Sequence, residues 1–236
     1  MKNAITIKNI RKVYRVGDEK IIALNDVSLE IKYGEICCLF GTSGSGKSTL
    51  LNLMAGLEKP TKGSIEIHEQ RIDQMNEHQL AKFRQKNLGF IFQSYNLLGA
   101  LTAIENVSLP LTFRGISKKI RDKMSAKMLK NVGLEKYLKH KPTQMSGGQQ
   151  QRVGIARAFA SKPPIVFADE PTGNLDSKTT HEVMELMLDI ANENNQTIII
   201  VTHDRSIAKY ADKIVYILDG NIEKVELRNR GEIYEA

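Results

Sequence analysis

The sequence predicts an α/β fold built on a parallel sheet, and three observations carry that expectation. First, three continuous apolar runs, Ile36–Phe40, Ile165–Ala168 and Ile198–Val201, have the length of strands buried on both faces. Second, each run stops at glycine or polar residues: Gly41, Asp169, and Thr202 with His203. Third, helical patterns lie between the runs, as with Val183, Leu186, Met187 and Ile190 after Asp176-Ser177. Alternation of this kind gives a parallel sheet with helices on its faces, and ligands gather at the carboxyl ends of its strands.

The remaining elements follow from their periods. Near the amino terminus, Ile5-Thr-Ile-Lys-Asn-Ile and Val27-Ser-Leu-Glu-Ile alternate apolar with polar, the pattern of a half-exposed antiparallel β layer. From about Leu97 to Ser146 the pattern turns helical, with Thr102 and Glu105 spaced as a capping box. The expected organisation is a single domain over 1–236. Residues 1–96 and 147–236 form a core with its antiparallel layer, and about 97–146 form an inserted helical subdomain. Ile214–Leu218 is the last strand-like run, and no internal repeat or low-complexity linker is visible.

Composition narrows the class. The 236 residues hold 34 Lys and Arg against 27 Asp and Glu, a net charge of +7, with 41% apolar residues. No stretch approaches the roughly 20 apolar residues of a membrane-spanning helix. The amino terminus lacks the charged head and apolar block of a secretion signal. The only cysteines, Cys37 and Cys38, are adjacent; in a strand they point to opposite faces and cannot pair, so a reduced cytosolic protein is expected.

The charge is not evenly spread. Between Lys118 and Lys141 nine bases face two acids, Asp122 and Glu135, so this window alone nets +7. It contains a helical pattern, Ile120, Met124, Met128 and Val132, ending at Gly133. Such a patch fits nucleic acid or anionic lipid. It also fits an apolar stripe packed inward with its lysines in water. No aromatic residue interleaves in the helical pattern for base stacking, which favours the packed stripe and argues against a specific nucleic-acid partner.

The chemistry is concentrated in short motifs. Gly41-Thr42-Ser43-Gly44-Ser45-Gly46-Lys47-Ser48-Thr49 fills the pattern G-x-x-x-x-G-K-[ST], directly after an expected strand and before an expected helix. Glycines let backbone N–H groups converge on phosphate oxygens, and the helix presents its partially positive end to the same anion. Lys47 is expected to reach the β- and γ-phosphates, and the Ser48 hydroxyl to join the coordination of Mg²⁺. The fold class is thus a P-loop NTPase (RecA-like) core. Asp169, at the tip of an apolar strand, suits Mg²⁺, and Glu170, one residue on, suits activation of an attacking water. No Asn/Thr-Lys-x-Asp element for reading guanine is present, and the Asp-Glu pair favours water as acceptor, so hydrolysis is expected. His203 follows another strand end and is a candidate γ-phosphate contact. Met145-Ser146-Gly147-Gly148-Gln149 opens a second helix and resembles another anion-binding start. One chain has no evident need for two, so this element is expected to complete the site of another copy.

Taken together, Gly41–Thr49, Gln93, Ser146–Gln149, Asp169-Glu170, Asn174-Leu175-Asp176 and His203 resemble, in order, the ATPase subunit of an ATP-binding cassette (ABC) transporter. The resemblance covers essentially the whole chain. It implies ATP and Mg²⁺ as ligands, with Ser48, Gln93 and Asp169 toward the metal and Glu170, His203, Lys47 and Gln93 toward catalysis. It also implies that Tyr14 stacks on adenine, that Gln93 joins the metal to the membrane-subunit contact, and that Ser146 and Gly148 bind the γ-phosphate held by the opposite chain. Asp176 would cross the dimer interface, and His203 would be the switch histidine.

Phe92-Gln-Ser-Tyr-Asn-Leu-Leu98 and Leu101–Leu111 look like the lipoprotein-release and macrolide-export (MacB/LolD-like) branch, which also includes a cell-division (FtsE-like) subunit. The implied function is an ATP-driven homodimer on the cytoplasmic face of the membrane. It would drive a separate permease that exports a peptide, drug or lipophilic compound; the alternative is a mechanical signalling ATPase that carries no cargo. Two departures stand out. Met145 replaces the usual leucine, and Gly99-Ala100 stands where the branch often has proline, which is expected to loosen the loop after Gln93.

Overall fold

The computed structural model describes residues 2–228. In chain order the first elements are β1 (Asn3–Val16), β2 (Glu19–Lys32), β3 (Ile36–Phe40), α1 (Lys47–Met54), β4 (Lys62–Ile67), β5 (Gln70–Arg71) and α2 (Glu77–Asn87). Next come β6 (Leu88–Phe92), α3 (Ala103–Phe113), α4 (Lys118–Asn131), α5 (Gly147–Phe159), β7 (Ile165–Asp169) and α6 (Ser177–Glu193). The last are β8 (Thr197–Thr202), α7 (Arg205–Ala208), β9 (Lys213–Leu218) and β10 (Asn221–Leu227). The chain divides into two compact units: one runs to Ala81 and resumes at Thr197, the other is Lys82–Gln196.

In the first unit the alternating amino-terminal segments form the expected antiparallel layer, ordered β2-β1-β4-β5. Ile5 and Ile7 of β1 lie between Ile31 and Leu29 of β2 and Ile67 and Ile65 of β4. All six are buried, so one face of the layer is apolar throughout. The continuously apolar strands behave differently. β3 is parallel to β8, pairing Ile36 with Ile198 and Phe40 with Thr202, and parallel to β9 on its other side. Cys37 and Cys38 are both buried in β3, and neither forms a disulfide. A strand absent from the sequence reading, β10, folds back on β9 through Asp219-Gly220, both at positive φ as a two-residue hairpin requires.

In the second unit β6 and β7 run parallel, with Phe90 opposite Phe167 and their rings stacked at 5.7 Å. The helical segment has the expected character, and α3 and α4 pack on each other and on α5. The Thr102 hydroxyl and Glu105 carboxylate cap α3 reciprocally, with Thr102 N donating to Glu105 Oε2 at 2.8 Å. The expected stripe on α4 is corrected in part. Its buried side is Ser125, Met128, Leu129 and Val132, whereas Ile120 is 55% exposed.

Candidate functional site

In the first unit the site is a loop between β3 and α1. At Gly41 a Cβ would collide with the Ile217 carbonyl oxygen, so β9 can approach only a glycine. Gly46 adopts φ 103°, where a Cβ would meet the Ala23 carbonyl at 2.7 Å. Gly46 also occupies the cap position of α1 and brings no side-chain cap to its first N–H groups. Lys47 is only 6% exposed, and its Nζ donates to the Thr42 carbonyl at 2.6 Å, which folds the amine back over the loop. Ser45 is buried with its hydroxyl unpartnered, while Ser48 is exposed. A cleft of about 450 Å³ is lined by Gly41, Thr42 and Ser43 on one side and by His203, Tyr216 and Glu223 among others, so His203 shares a cavity with the glycine loop.

Tyr14 is half-buried on β1, and its hydroxyl donates to Glu58 Oε2 at 2.7 Å. Burial raises the phenol's pKa, reinforced by Glu58 and opposed by a hydrogen bond with Thr49, which brings Tyr14 to the end of the glycine motif.

In the second unit, Gln93 directly follows β6 and Asp169 ends β7. Glu170 takes φ 44°, a left-handed conformation that a non-glycine residue adopts at a cost of roughly 1–3 kcal/mol and that clusters at functional sites. The turn beyond it closes with Gly173 N donating to the Glu170 carbonyl at 3.1 Å. The Gln93 amide nitrogen lies 2.7 Å from where Gly173 would carry a Cβ, and Asn174 Nδ2 donates to the Gln93 carbonyl at 2.9 Å. Gln93 thus touches the turn that follows Asp169 and Glu170.

Ser146 caps α5: its hydroxyl accepts from Gln149 N, and Gln149 Oε1 accepts from Ser146 N at 2.9 Å. Asp176 caps α6, accepting from Thr179 N at 3.0 Å and Thr179 Oγ1 at 2.7 Å, and these bonds hold its carboxyl below the usual carboxylate range. The two helix starts share a cleft of about 360 Å³, lined by Ser146, Gly147, Gly148, Gln149, Asn174 and Asp176 among others.

Three groups escaped the sequence reading. Glu58 gathers Tyr14, Lys12 and Asn52. Arg157, on α5, donates to the carbonyls of Tyr95 and Asn96 at 2.8 and 2.5 Å and so holds the loop after Gln93. Asn106, fully buried, binds Leu98 through both its N–H and its carbonyl, and binds the Leu101 and Thr102 carbonyls as well. Asn106 therefore ties down the Gly99-Ala100 segment whose missing proline was expected to loosen it. The only signal for it was an amide side chain inside an otherwise apolar helical face.

Comparison with known proteins agrees with the motifs. The ABC transporter family profile matches residues 24–173. The chain is 46% identical over 226 residues to MJ0796 of Methanocaldococcus jannaschii, described as an uncharacterized ABC transporter ATP-binding protein, covering 94% of this chain and 96% of that one. It is 44% identical to the macrolide export ATP-binding/permease protein MacB of Vibrio parahaemolyticus over 92% of its own length, but spans only 33% of MacB. A solved structure of MJ0796, dimeric in a post-hydrolysis state with ADP and Pi, superposes with a TM-score of 0.89 at 44% identity, covering 95% of this chain and 99% of that one. The chain therefore belongs to the ABC transporter family, as an ATP-binding cassette with ATPase activity.

Proposed function

We propose that two copies of this chain close around ATP and drive a separate membrane permease, exporting a peptide, drug or lipophilic compound. The observation that carries this reading is the presence, in one chain, of two glycine-rich helix starts, at Gly46 and at Ser146, with one cleft beside the Gly41–Ser43 loop and another at Ser146. A triphosphate gripped by the first still has γ-oxygens free for the second start of a partner copy. The dimeric MJ0796 structure supports the pairing of two copies. Lys47 and the glycine loop hold the phosphates, Tyr14 receives the adenine, and Ser146, Gly147 and Gly148 present hydroxyl and N–H donors to the partner's γ-phosphate.

Ser48, Gln93 and Asp169 offer a hydroxyl, an amide carbonyl and a carboxylate. Each is an oxygen donor of the kind Mg²⁺ takes, its remaining oxygens coming from water and phosphate. Mg²⁺ when bound would neutralise charge on the β- and γ-phosphates. Glu170 orients and deprotonates the attacking water, and His203 contacts the γ-phosphate. Loss of that phosphate removes the shared contacts, and the copies part.

Residues 97–146 form the helical lobe that, with the loop at Gln93, receives the permease. No described helix is long and apolar enough to cross a membrane; the permease brings the cassette to the cytoplasmic face. Glu170→Gln is the test: it should bind ATP, slow turnover by about 10²-fold or more, and accumulate as a dimer with ATP in light scattering. A strictly monomeric variant under saturating ATP overturns the shared site.

A further inference from the structure

We propose that the exposed lysine face of α4 docks on an anionic lipid bilayer. Lys119, Lys123, Lys127 and Lys130 are all exposed, and at 3.6 residues per turn they fall within about a quarter turn of one another. They lie opposite the buried side formed by Ser125, Met128, Leu129 and Val132. Asp122 sits about a quarter turn off this stripe. Glu105 acts on Lys118 and Lys141, both outside the stripe.

This face breaks the electrostatic rules of a helix in three ways. Lys119–Lys123 and Lys123–Lys127 are like-charge pairs at i,i+4, which repel. The first turn holds Lys118 and Lys119 and no acid, against the partial positive charge of the helix start. Ser117 stands at the cap position, but its side chain makes no capping hydrogen bond. Each choice weakens the helix, and local rules broken together on one surface mark function. The surrounding window also carries a net +7, the whole excess of the chain.

Ile120, 55% exposed, borders the stripe and supplies the apolar contact that a basic helix makes at the headgroup boundary. A bilayer fits better than nucleic acid: α4 contains no aromatic residue, and Tyr137, further along the window, is engaged with the His140 ring at 5.1 Å. The inference rests on the reading that this cassette works beside a membrane permease.

The test is co-sedimentation of the full chain with vesicles of phosphatidylcholine alone, or of phosphatidylcholine and phosphatidylglycerol in equal parts. Binding should require the anionic lipid and vanish at high salt. A Lys119→Gln/Lys123→Gln/Lys127→Gln variant should bind about 100-fold more weakly, since each lysine near an anionic surface contributes roughly fivefold. Its Tm should be no lower than that of the parent, because like-charge repulsion is removed. Removing the same charge elsewhere, with Lys136→Gln/Lys139→Gln/Lys141→Gln, should cost much less binding.

Equal binding to neutral vesicles, no binding to either, or equal loss in the two triple variants overturns the proposal. Tighter binding to duplex DNA or RNA than to anionic vesicles overturns it as well. ATP-driven dimerisation of Glu170→Gln, measured in parallel, separates the two readings. Intact dimerisation without lipid binding refutes the lysine face alone, whereas lost dimerisation with lipid binding refutes the shared ATP site alone.

Discussion

The Tyr14 hydroxyl and Lys12 Nζ converge on one oxygen of Glu58, at 2.7 and 2.9 Å, while Asn52 of α1 donates to the other at 3.2 Å. Lys12 also lies 4.9 Å from the centre of the Tyr14 ring. A single carboxylate thus sets the angle of the proposed adenine platform and ties it to the helix that follows the glycine loop. Glu58→Ala should raise the ATP KM by about 3- to 10-fold with kcat nearly unchanged, the signature of lost uniform binding. Tyr14→Phe should act in the same direction, and the double variant should be little worse than either alone. Fully additive losses in calorimetric ATP affinity would refute the shared network. Burial alone would raise the Glu58 pKa, but the hydrogen bonds from Tyr14, Lys12 and Asn52 outweigh it and hold the carboxyl below its ordinary value. A depressed folded pKa gives stabilisation that is complete above the unfolded value of about 4.3 and is lost as pH falls through the folded one. The network is therefore intact at neutral pH and fails only in acid, below the ordinary carboxylate range.

Asn106 anchors the loop that leads from Gln93 into α3. Its amide makes four hydrogen bonds to the backbone of Leu98, Leu101 and Thr102 while fully buried. Asn106→Ala leaves those backbone groups partly unsatisfied and opens space beneath the loop. The expected loss is about 2–4 kcal/mol, or a Tm lower by roughly 4–16 °C for a chain of this size. A calorimetric scan within one degree of the parent would mean that the loop is held by other contacts.

What could be read in the sequence follows from how each feature is specified. β3, β7 and β8 were legible because burial on both faces leaves an unbroken apolar run. The glycine loop was legible because close approach of backbone to backbone, as at Gly41 and Ile217, admits no side chain. β10 was not, since an edge strand held by backbone pairing to β9 can carry Glu223, Lys224 and Glu226 without an apolar signature. Ile120 misled because a period of four continues through it, whereas the packed face of α4 is centred on Met128 and Leu129. Glu58 stands 44 residues from Tyr14, and Arg157 stands 62 from Tyr95. Roles created by folding across such separations leave no local pattern.

Cys37 and Cys38 lie in the strand that delivers the glycine loop, and both are wholly buried. Burial pushes the Cys37 thiol far above its ordinary pKa, with the Lys213 charge opposing only in part. The thiolate is the reactive form, so modification requires opening of the sheet. A chromogenic disulfide reagent should find no rapidly reacting thiol in the native protein and two after denaturation. Fast native labelling with undiminished far-UV circular dichroism would show β3 to be locally open.

Gly147 meets the loop after Gln93 through Tyr95. A Cβ on Gly147 would lie 2.9 Å from the Tyr95 hydroxyl and 3.8 Å from the ring carbon that bears it. Tyr95 and Asn96 both take left-handed backbone angles, φ 60° and 47°, and Arg157 clamps their carbonyls, so the backbone that carries the ring is held in place. Gly147→Ala should therefore displace the start of α5. Overpacking of this size costs about 1–3 kcal/mol, and each 1.4 kcal/mol borne by the transition state is roughly tenfold in rate, so ATPase activity should fall by about 5- to 100-fold. Tyr95→Phe alone removes only a hydroxyl and should leave the rate within about twofold of the parent. Combined with Gly147→Ala it clears the 2.9 Å contact and should restore most of the activity, a rescue that general destabilisation would not produce. A double variant as slow as Gly147→Ala would place the cost in the backbone of α5 or against Leu175, 4.0 Å from the same point, and not in the Tyr95 contact.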